Sequence, residues 1–129
     1  MANILLVDDD PEVVAGNAAV LESDGHTVAA SSSADEAMSW LRRQMPDLVI
    51  LEAMLGGKPS GIDLAESLSR EYPDLPLIML TDADEHLSSA ELASQDVDGG
   101  WVPVDRYLAK PVLADVLADE VDHLLPNEQ

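Results

Sequence analysis

Six polar residues that could do chemistry stand directly after apolar runs of the sequence. They are Asp8, Asp9, Asp10, Glu52, Thr81 and Lys110. Carboxylates that lie close together repel one another and raise each other's pKa, and a divalent cation with oxygen ligands relieves that repulsion. A hydroxyl and an ammonium opposite the cation could hold the oxygens of a phosphoryl group. The pattern predicts an Mg²⁺ site, whereas Asp10, followed by Pro11, is placed to cap a helix.

These residues can form one site if the apolar runs are neighbouring parallel strands, because the carboxyl ends of parallel strands share one edge of a sheet. Short apolar runs predict five strands, at 3–7, 27–30, 47–51, 75–80 and 106–109. Helical spacing of apolar residues predicts five helices that alternate with them. Such alternation favours parallel pairing through right-handed crossovers. We therefore expect an α/β fold, a three-layer αβα sandwich around a five-stranded parallel sheet.

Capping signals place the starts of two of these helices. Ser33 and Glu36 have the spacing of a capping box and predict the start of the second helix. Ser88 and Glu91 predict a short fourth helix in the same way. An apolar stripe over residues 113–125 predicts the fifth.

Composition excludes several classes of protein. The 129 residues suffice for one domain. Lys and Arg number 6 against 26 Asp and Glu, a formal charge of −20, so nucleic acid and anionic membranes would be repelled. The lack of Cys excludes a disulfide framework, a thiolate zinc site and a Cys nucleophile. Because no leader or long apolar run is found, we expect a soluble, cytoplasmic protein.

Five segments occur in the order ILLVDDD, DLVILEAML, SGIDL, LIMLT and YLAKP. Together they resemble the receiver domain of bacterial two-component response regulators, the CheY-like family, from residue 3 to residue 125. The resemblance implies a flavodoxin-like, doubly wound sheet with strand order 2-1-3-4-5. It also implies a single receiver domain over residues 1–129, a signalling phosphoprotein of a phosphorelay rather than an enzyme.

The resemblance assigns a metal site residue by residue. Asp8 and Asp9 match the acidic pair of receivers, with Asp9 as the direct Mg²⁺ ligand. The backbone carbonyl of Met54 matches their main-chain metal ligand. Glu52 stands where receivers carry the Asp that accepts the phosphoryl group, and it completes the expected ligand set.

The resemblance also assigns the switch. Thr81 matches the switch hydroxyl, and Lys110 matches the lysine that contacts the phosphoryl group. Tyr107 matches the aromatic residue whose side-chain position changes on activation. Pro111 would follow a cis peptide bond, as in receivers.

Glu52 is the main departure from the family, because its carboxylate stands one methylene further from the backbone than that of Asp. In-line phosphoryl transfer tolerates little displacement of its nucleophile, so we expect phosphorylation to be impaired or imitated. Glu carries one negative charge, against about two on a phosphoryl group. We therefore expect Thr81 to stay apart from Glu52, and Tyr107 to point to solvent.

The segment between Thr81 and Lys110 is longer than receivers usually show. It contains Trp101, flanked by Val102 and Pro103. Two interpretations stay open: Trp101 contacts a partner protein, or it packs over the predicted fourth helix.

Other candidate residues are assigned structural roles. The histidines at 26, 86 and 123 share no ligand spacing, so we expect His26, His86 and His123 to be exposed and without a metal role. Asp47 and Asp63 are interpreted as residues at the start of a strand and of a helix, not as replacements for the missing Asp.

Three functions remain open at this stage. The first is a stand-alone receiver that meets a sensor histidine kinase or phosphotransfer protein and a downstream protein target. It could also form a homodimer through the predicted fourth helix, fifth strand and fifth helix. The alternative is an Mg²⁺-dependent phosphohydrolase, but the sequence Glu52-Ala53-Met54 lacks the second carboxylate that such enzymes need. The third is a flavin- or nucleotide-binding module. The three aspartates after the first strand would repel the phosphate of such a ligand.

Overall fold

The computed structural model describes residues 2–82 and 104–125, which form five strands and four helices. In chain order these are β1 (Asn3–Val7), α1 (Pro11–Ser23), β2 (Thr27–Ser31), α2 (Ala34–Arg43), β3 (Leu48–Glu52), α3 (Ser60–Glu71), β4 (Leu77–Asp82), β5 (Arg106–Lys110) and α4 (Ala114–Leu124). Helix α4 is the fifth helix of the sequence prediction. The predicted helix that opens at Ser88, together with His86 and Trp101, lies outside the described residues. Among the helices above, none is long and apolar enough to cross a membrane.

The five strands form one parallel sheet in the order β2-β1-β3-β4-β5, which confirms the predicted fold. Every residue of β3 is buried, because helices cover both faces of the sheet. The strand order changes direction between β1 and β3. In open α/β sheets, ligands bind at the carboxyl edge beside that change of direction.

The sheet separates two hydrophobic cores, as the three-layer prediction requires. On one face, helices α2 and α3 pack Leu41 and Leu68 against Leu51 and other strand residues of the same parity. On the other face, Leu21 of α1 and Val121 of α4 pack against the intervening strand residues, whose side chains point to the opposite side of the sheet.

Side-chain caps fix the starts of α1 and α2. Asp10 Oδ1 accepts a hydrogen bond from the Glu12 N–H at 3.0 Å, as predicted for a capping residue. Ser33 Oγ accepts from the Glu36 N–H at 3.1 Å. The Glu36 carboxylate bonds back to the N–H of Ser32, at 2.6 Å, and not to that of Ser33, so the capping box is displaced by one residue.

Strand β4 begins and ends later than predicted, which places Thr81 inside the sheet. It starts at Leu77 and not at residue 75. The N–H of Leu75 donates to the Tyr72 carbonyl at 3.0 Å in a turn, and Pro76 has no N–H to offer a neighbouring strand.

Gly61 lets the first turn of α3 lie directly against the end of β3. Its N–H donates to the carbonyl of Ala53 at 3.1 Å. A Cβ atom at this position would stand 1.7 Å from the carbonyl oxygen of Glu52. Because that neighbour is backbone, it cannot turn aside as a flexible side chain could. The close approach fixes the backbone from which the Glu52 side chain extends.

Replacing Gly61 by Ala is expected to lower the free energy of unfolding by about 3 kcal/mol or more, because the methyl group forces α3 away from β3. Gly16→Ala is the matched control: it lies in α1 with no atom within 4 Å of the added Cβ, and should raise stability by about 0.5–1 kcal/mol. Urea unfolding measures both. Equal effects of the two substitutions would contradict this interpretation.

Candidate functional site

Three charged side chains from three strands meet at the carboxyl edge of the sheet. Asp8 follows β1, Glu52 is the last residue of β3, and Lys110 is the last residue of β5. The Lys110 ammonium donates a hydrogen bond to Glu52 Oε1 and lies 3.2 Å from Asp8 Oδ2. The sequence placed Glu52 and Lys110 one residue beyond their strands, whereas both are paired strand residues that the sheet itself positions.

Glu52 is a buried carboxylate with a hydrogen bond to each oxygen. It is 4% exposed, and its Oε2 accepts from the Met54 N–H at 3.1 Å. Burial raises the pKa of Glu52 above its ordinary value. The hydrogen bonds from Lys110 and Met54 offset part of that effect, and the charge of Asp8 adds to it. The negative charge of Glu52 is therefore held in place by Lys110.

Lys110 supplies the positive charge of the site. Burial lowers the pKa of its ammonium, but the hydrogen bond to Glu52 and the charges of Glu52 and Asp8 outweigh this effect, so the pKa is raised. Lys110 is consequently charged at neutral pH. The peptide bond between Lys110 and Pro111 is cis, as the resemblance implied.

Asp8 holds one oxygen that lacks a directed hydrogen bond. Its Oδ1 accepts from the Asp10 N–H at 2.9 Å. Its Oδ2 is buried and makes an ion-pair contact with Lys110, but no hydrogen bond to the residues that the structure describes. Because Lys110 also pairs with Glu52, two buried carboxylates share one positive charge, and the remaining negative charge favours the approach of a cation.

Asp9, the residue after Asp8, lies in the loop that follows β1. It is exposed, and its Oδ2 accepts from the N–H of Gly56 at 2.8 Å. That bond joins the loop after β1 to the loop after β3, which also carries Met54. Sequence reasoning missed Gly56, because every residue except proline has an N–H and none of its neighbours in sequence indicates this partner.

The donor set fits a hard divalent cation. Asp8, Asp9 and Glu52 offer carboxylate oxygens with three negative charges, and Lys110 balances one of them. The two that remain match the charge of Mg²⁺, an ion that takes oxygen ligands. No backbone N–H in residues 2–82 or 104–125 bonds to the Met54 carbonyl, so that oxygen is also available. The site therefore has both the charge and the ligand type for Mg²⁺.

The two predicted switch residues lie in β4 and β5. Thr81 is buried and pairs with Ala109 in the sheet. Within the described part of the chain, no hydrogen bond joins the Thr81 hydroxyl to Glu52, whose partners are Lys110 and Met54. Tyr107 is half-buried and packs against the core on the α2 and α3 face, whereas the sequence predicted a ring turned to solvent.

His26 is not the exposed residue that the sequence predicted. It is half-buried, and its Nδ1 accepts from the Ala2 N–H at 3.1 Å. Its ring lies near the carboxylates of Asp24 and Asp122, with one possible ligand atom of each within 4.8 Å of the others. Because the Ala2 bond uses the Nδ1 lone pair, a neutral ring carries its proton on Nε2 and has no lone pair left for a metal. We therefore assign His26 no metal role.

The remaining candidates have structural positions. Asp47 Oδ2 accepts from the Asn3 N–H at 2.7 Å, directly before β3, and Asp63 lies in the first turn of α3. His123 is exposed, and its Nδ1 lies 2.8 Å from the carbonyl of Asp119 in its own helix.

Comparisons with known proteins point to one family. The model of the response regulator receiver domain matches residues 4–122. Heme response regulator HssR of Staphylococcus saprophyticus is 34% identical over 111 residues, which are 86% of this chain and 46% of that protein. Transcriptional regulatory protein YvrH of Bacillus subtilis is 36% identical over 115 residues, 85% of this chain and 43% of that protein. The chain spans less than half the length of these relatives.

Solved structures agree with this result. The receiver domain of NtrX from Brucella abortus superimposes with a TM-score of 0.82 at 25% identity, over 97% of this chain and 99% of that one. Response regulator protein TrrA from Thermotoga maritima, solved in complex with Mg(2+)-BeF, gives a TM-score of 0.79 at 29% identity, over 97% and 100% of the two chains.

Lys110→Met is expected to lower the free energy of unfolding by about 3 kcal/mol in the absence of divalent cations, because it leaves two buried carboxylates without their counter-ion. Lys58→Met removes the same charge from an exposed side chain and should change stability by less than about 0.5 kcal/mol. Chemical unfolding in the presence of a chelator measures both. A Lys110→Met chain as stable as the Lys58→Met control would show that the ion pair contributes little.

Proposed function

Since the chain belongs to the response regulator receiver domain family, we propose that its acidic pocket binds Mg²⁺ and that Glu52 occupies the place of the phosphoaccepting Asp. The observation that supports this most is the contact of Asp8 and Glu52 with one lysine, at the carboxyl edge of the sheet. Residues 1–129 would then act as a single receiver domain of a two-component system.

Receiver domains work in signal transduction with histidine kinases or phosphotransfer proteins as partners. We infer that this chain meets such a partner at the carboxyl edge, where Glu52 and Lys110 lie. A downstream protein target would then bind a surface whose conformation depends on what the acidic pocket holds. The homodimer expected through the predicted fourth helix rests partly on residues outside the described ranges, and it stays a proposal.

The proposed Mg²⁺ ligands are Asp8, Asp9, Glu52 and the carbonyl of Met54. The single charge of Lys110, which Asp8 and Glu52 share, and the net negative charge of the pocket support this assignment. The structurally similar TrrA was solved in complex with Mg(2+)-BeF, which also supports the assignment. When bound, Mg²⁺ would neutralise the carboxylates and hold the oxygens of a phosphoryl group.

Glu52 would change how the receiver is controlled. Its side chain already reaches Lys110, the residue that would otherwise contact the phosphoryl group, whereas no bond links it to Thr81. One carboxylate thus satisfies part of the contacts that a phosphoryl group would make. We infer a receiver in which phosphorylation is impaired and the active state is imitated in part at most. The Mg²⁺-dependent phosphohydrolase is not favoured, because the family match covers most of the chain.

Mg²⁺ is expected to stabilise the fold by about 2.7 kcal/mol at a concentration 100 times its dissociation constant. Asp9→Ala should lose most of this stabilisation, whereas Asp119→Ala, which removes the same charge from an exposed position on α4, should keep it. Thermal unfolding with and without Mg²⁺ at constant ionic strength tests this. An equal rise in all three proteins would indicate general charge screening.

The unmodified chain is expected to gain little or no phosphoryl group from a small-molecule donor such as acetyl phosphate with Mg²⁺. Glu52→Asp should gain one labile group, because the shorter side chain returns the nucleophile to its in-line position. Glu52→Gln, which cannot be phosphorylated at this position, is the control. Intact-protein mass spectrometry detects the product, and rapid stoichiometric labelling of Glu52 itself would overturn the proposal.

A further inference from the structure

A backbone N–H sets the direction of the Asp9 carboxylate. Asp9 is exposed, so its side chain gains little orientation from packing. Its Oδ2 accepts the Gly56 N–H at 2.8 Å, across 47 residues of sequence. Hydrogen bonds to an ionised carboxylate are roughly twice as strong as those between neutral groups. The bond from Gly56 is therefore the interaction that restricts this carboxylate.

Gly56 itself is held by a two-residue hairpin in the loop after β3. The N–H of Leu55 donates to the carbonyl of Lys58 at 2.8 Å, and the N–H of Lys58 donates to the carbonyl of Leu55 at 3.1 Å. Gly56 and Gly57, between them, have φ values of 61° and 75°. Positive φ at both central residues is the mark of a type I′ turn. The reciprocal bonds fix the direction in which the Gly56 N–H points.

The hairpin is anchored to the core and to the pocket. Leu55 is 5% exposed and packs in the core formed with α2 and α3. The N–H of Met54, directly before the hairpin, donates to Glu52 Oε2. One short loop thus places the N–H of Gly56 on Asp9 and the N–H of Met54 on Glu52.

We propose that the Gly56–Gly57 hairpin is a positioning element for cation binding in this pocket. The Gly56 N–H holds Asp9 Oδ2 and leaves Oδ1 to a cation, in a pocket where Asp8 and Glu52 share the single charge of Lys110. The inference rests on the proposed Mg²⁺ site. The group that it adds, the N–H of Gly56, would not contact the metal ion itself. Hydrogen bonds that orient ligating carboxylates typically contribute 10- to 100-fold to metal affinity.

Substitutions at residue 56 test the proposal, because they keep the N–H and change only how well the turn forms. No atom lies within 4 Å of a Cβ added to Gly56, so a side chain has room. A β-branched residue is an outlier at this φ, whereas Asn followed by Gly is a preferred type I′ pair. Gly56→Val should therefore weaken Mg²⁺ binding about tenfold. Gly56→Asn should bind Mg²⁺ as the unmodified chain does.

Calorimetric titration with Mg²⁺ measures the affinities, and thermal unfolding shows that each variant folds. If Gly56→Val does not unfold cooperatively, Gly56→Ala takes its place, with a loss of several-fold expected. In an Asp9→Ala background, the residue 56 variants should no longer differ in affinity, since the group that the hairpin positions is gone.

Two results would overturn the proposal, and they can be told apart. If Gly56→Val binds Mg²⁺ as tightly as the unmodified chain while Asp9→Ala does not, the hairpin has no positioning role and the metal site stands. If the unmodified chain shows no Asp9-dependent binding of Mg²⁺, the positioning role and the proposed metal site both fail.

Discussion

The structure depends on a balance of charge between two buried carboxylates and one lysine. Parallel pairing of β1 and β3 brings Asp8 and Glu52 to the same edge of the sheet, where both are nearly excluded from water. Two such charges would destabilise the fold unless a cation accompanied them. Lys110 is that cation, and it reaches both carboxylates from the end of β5. The negative charge that remains is what supports the proposed Mg²⁺ site.

Two features constrain the backbone around these three charged residues. Gly61 brings α3 against the carbonyl of Glu52, where no side chain would fit, and the hairpin after β3 directs the N–H of Gly56 to Asp9. Both constraints act on the carboxylates through the main chain. Sites built in this way keep their geometry when surface side chains change, because the hydrogen-bond donors are part of the fold.

Much of this could be predicted from the sequence, because buried parallel strands are apolar along their whole length and helix caps have characteristic spacing. Asp8, Glu52 and Lys110 were predicted to meet, since each stands at the end of such a strand. The start of β4 could not be predicted, because it depends on a turn that uses the N–H of Leu75. The hydrogen bond from the Gly56 N–H to Asp9 could not be predicted either, because its donor is a backbone group that every residue except proline carries. The partner of His26 was missed for the same reason: it is the N–H of Ala2.

The central claim is that Lys110, and not Thr81, holds the carboxylate of Glu52. A crystal structure of the unmodified chain in millimolar Mg²⁺ tests it most directly. We expect Glu52 to stay within hydrogen-bond distance of Lys110 and the metal ion to lie on Asp8, Asp9, Glu52 and the Met54 carbonyl, with Thr81 making no bond to Glu52. A Glu52 carboxylate bonded to the Thr81 hydroxyl, with Lys110 turned away, would contradict the account and indicate a constitutively active mimic.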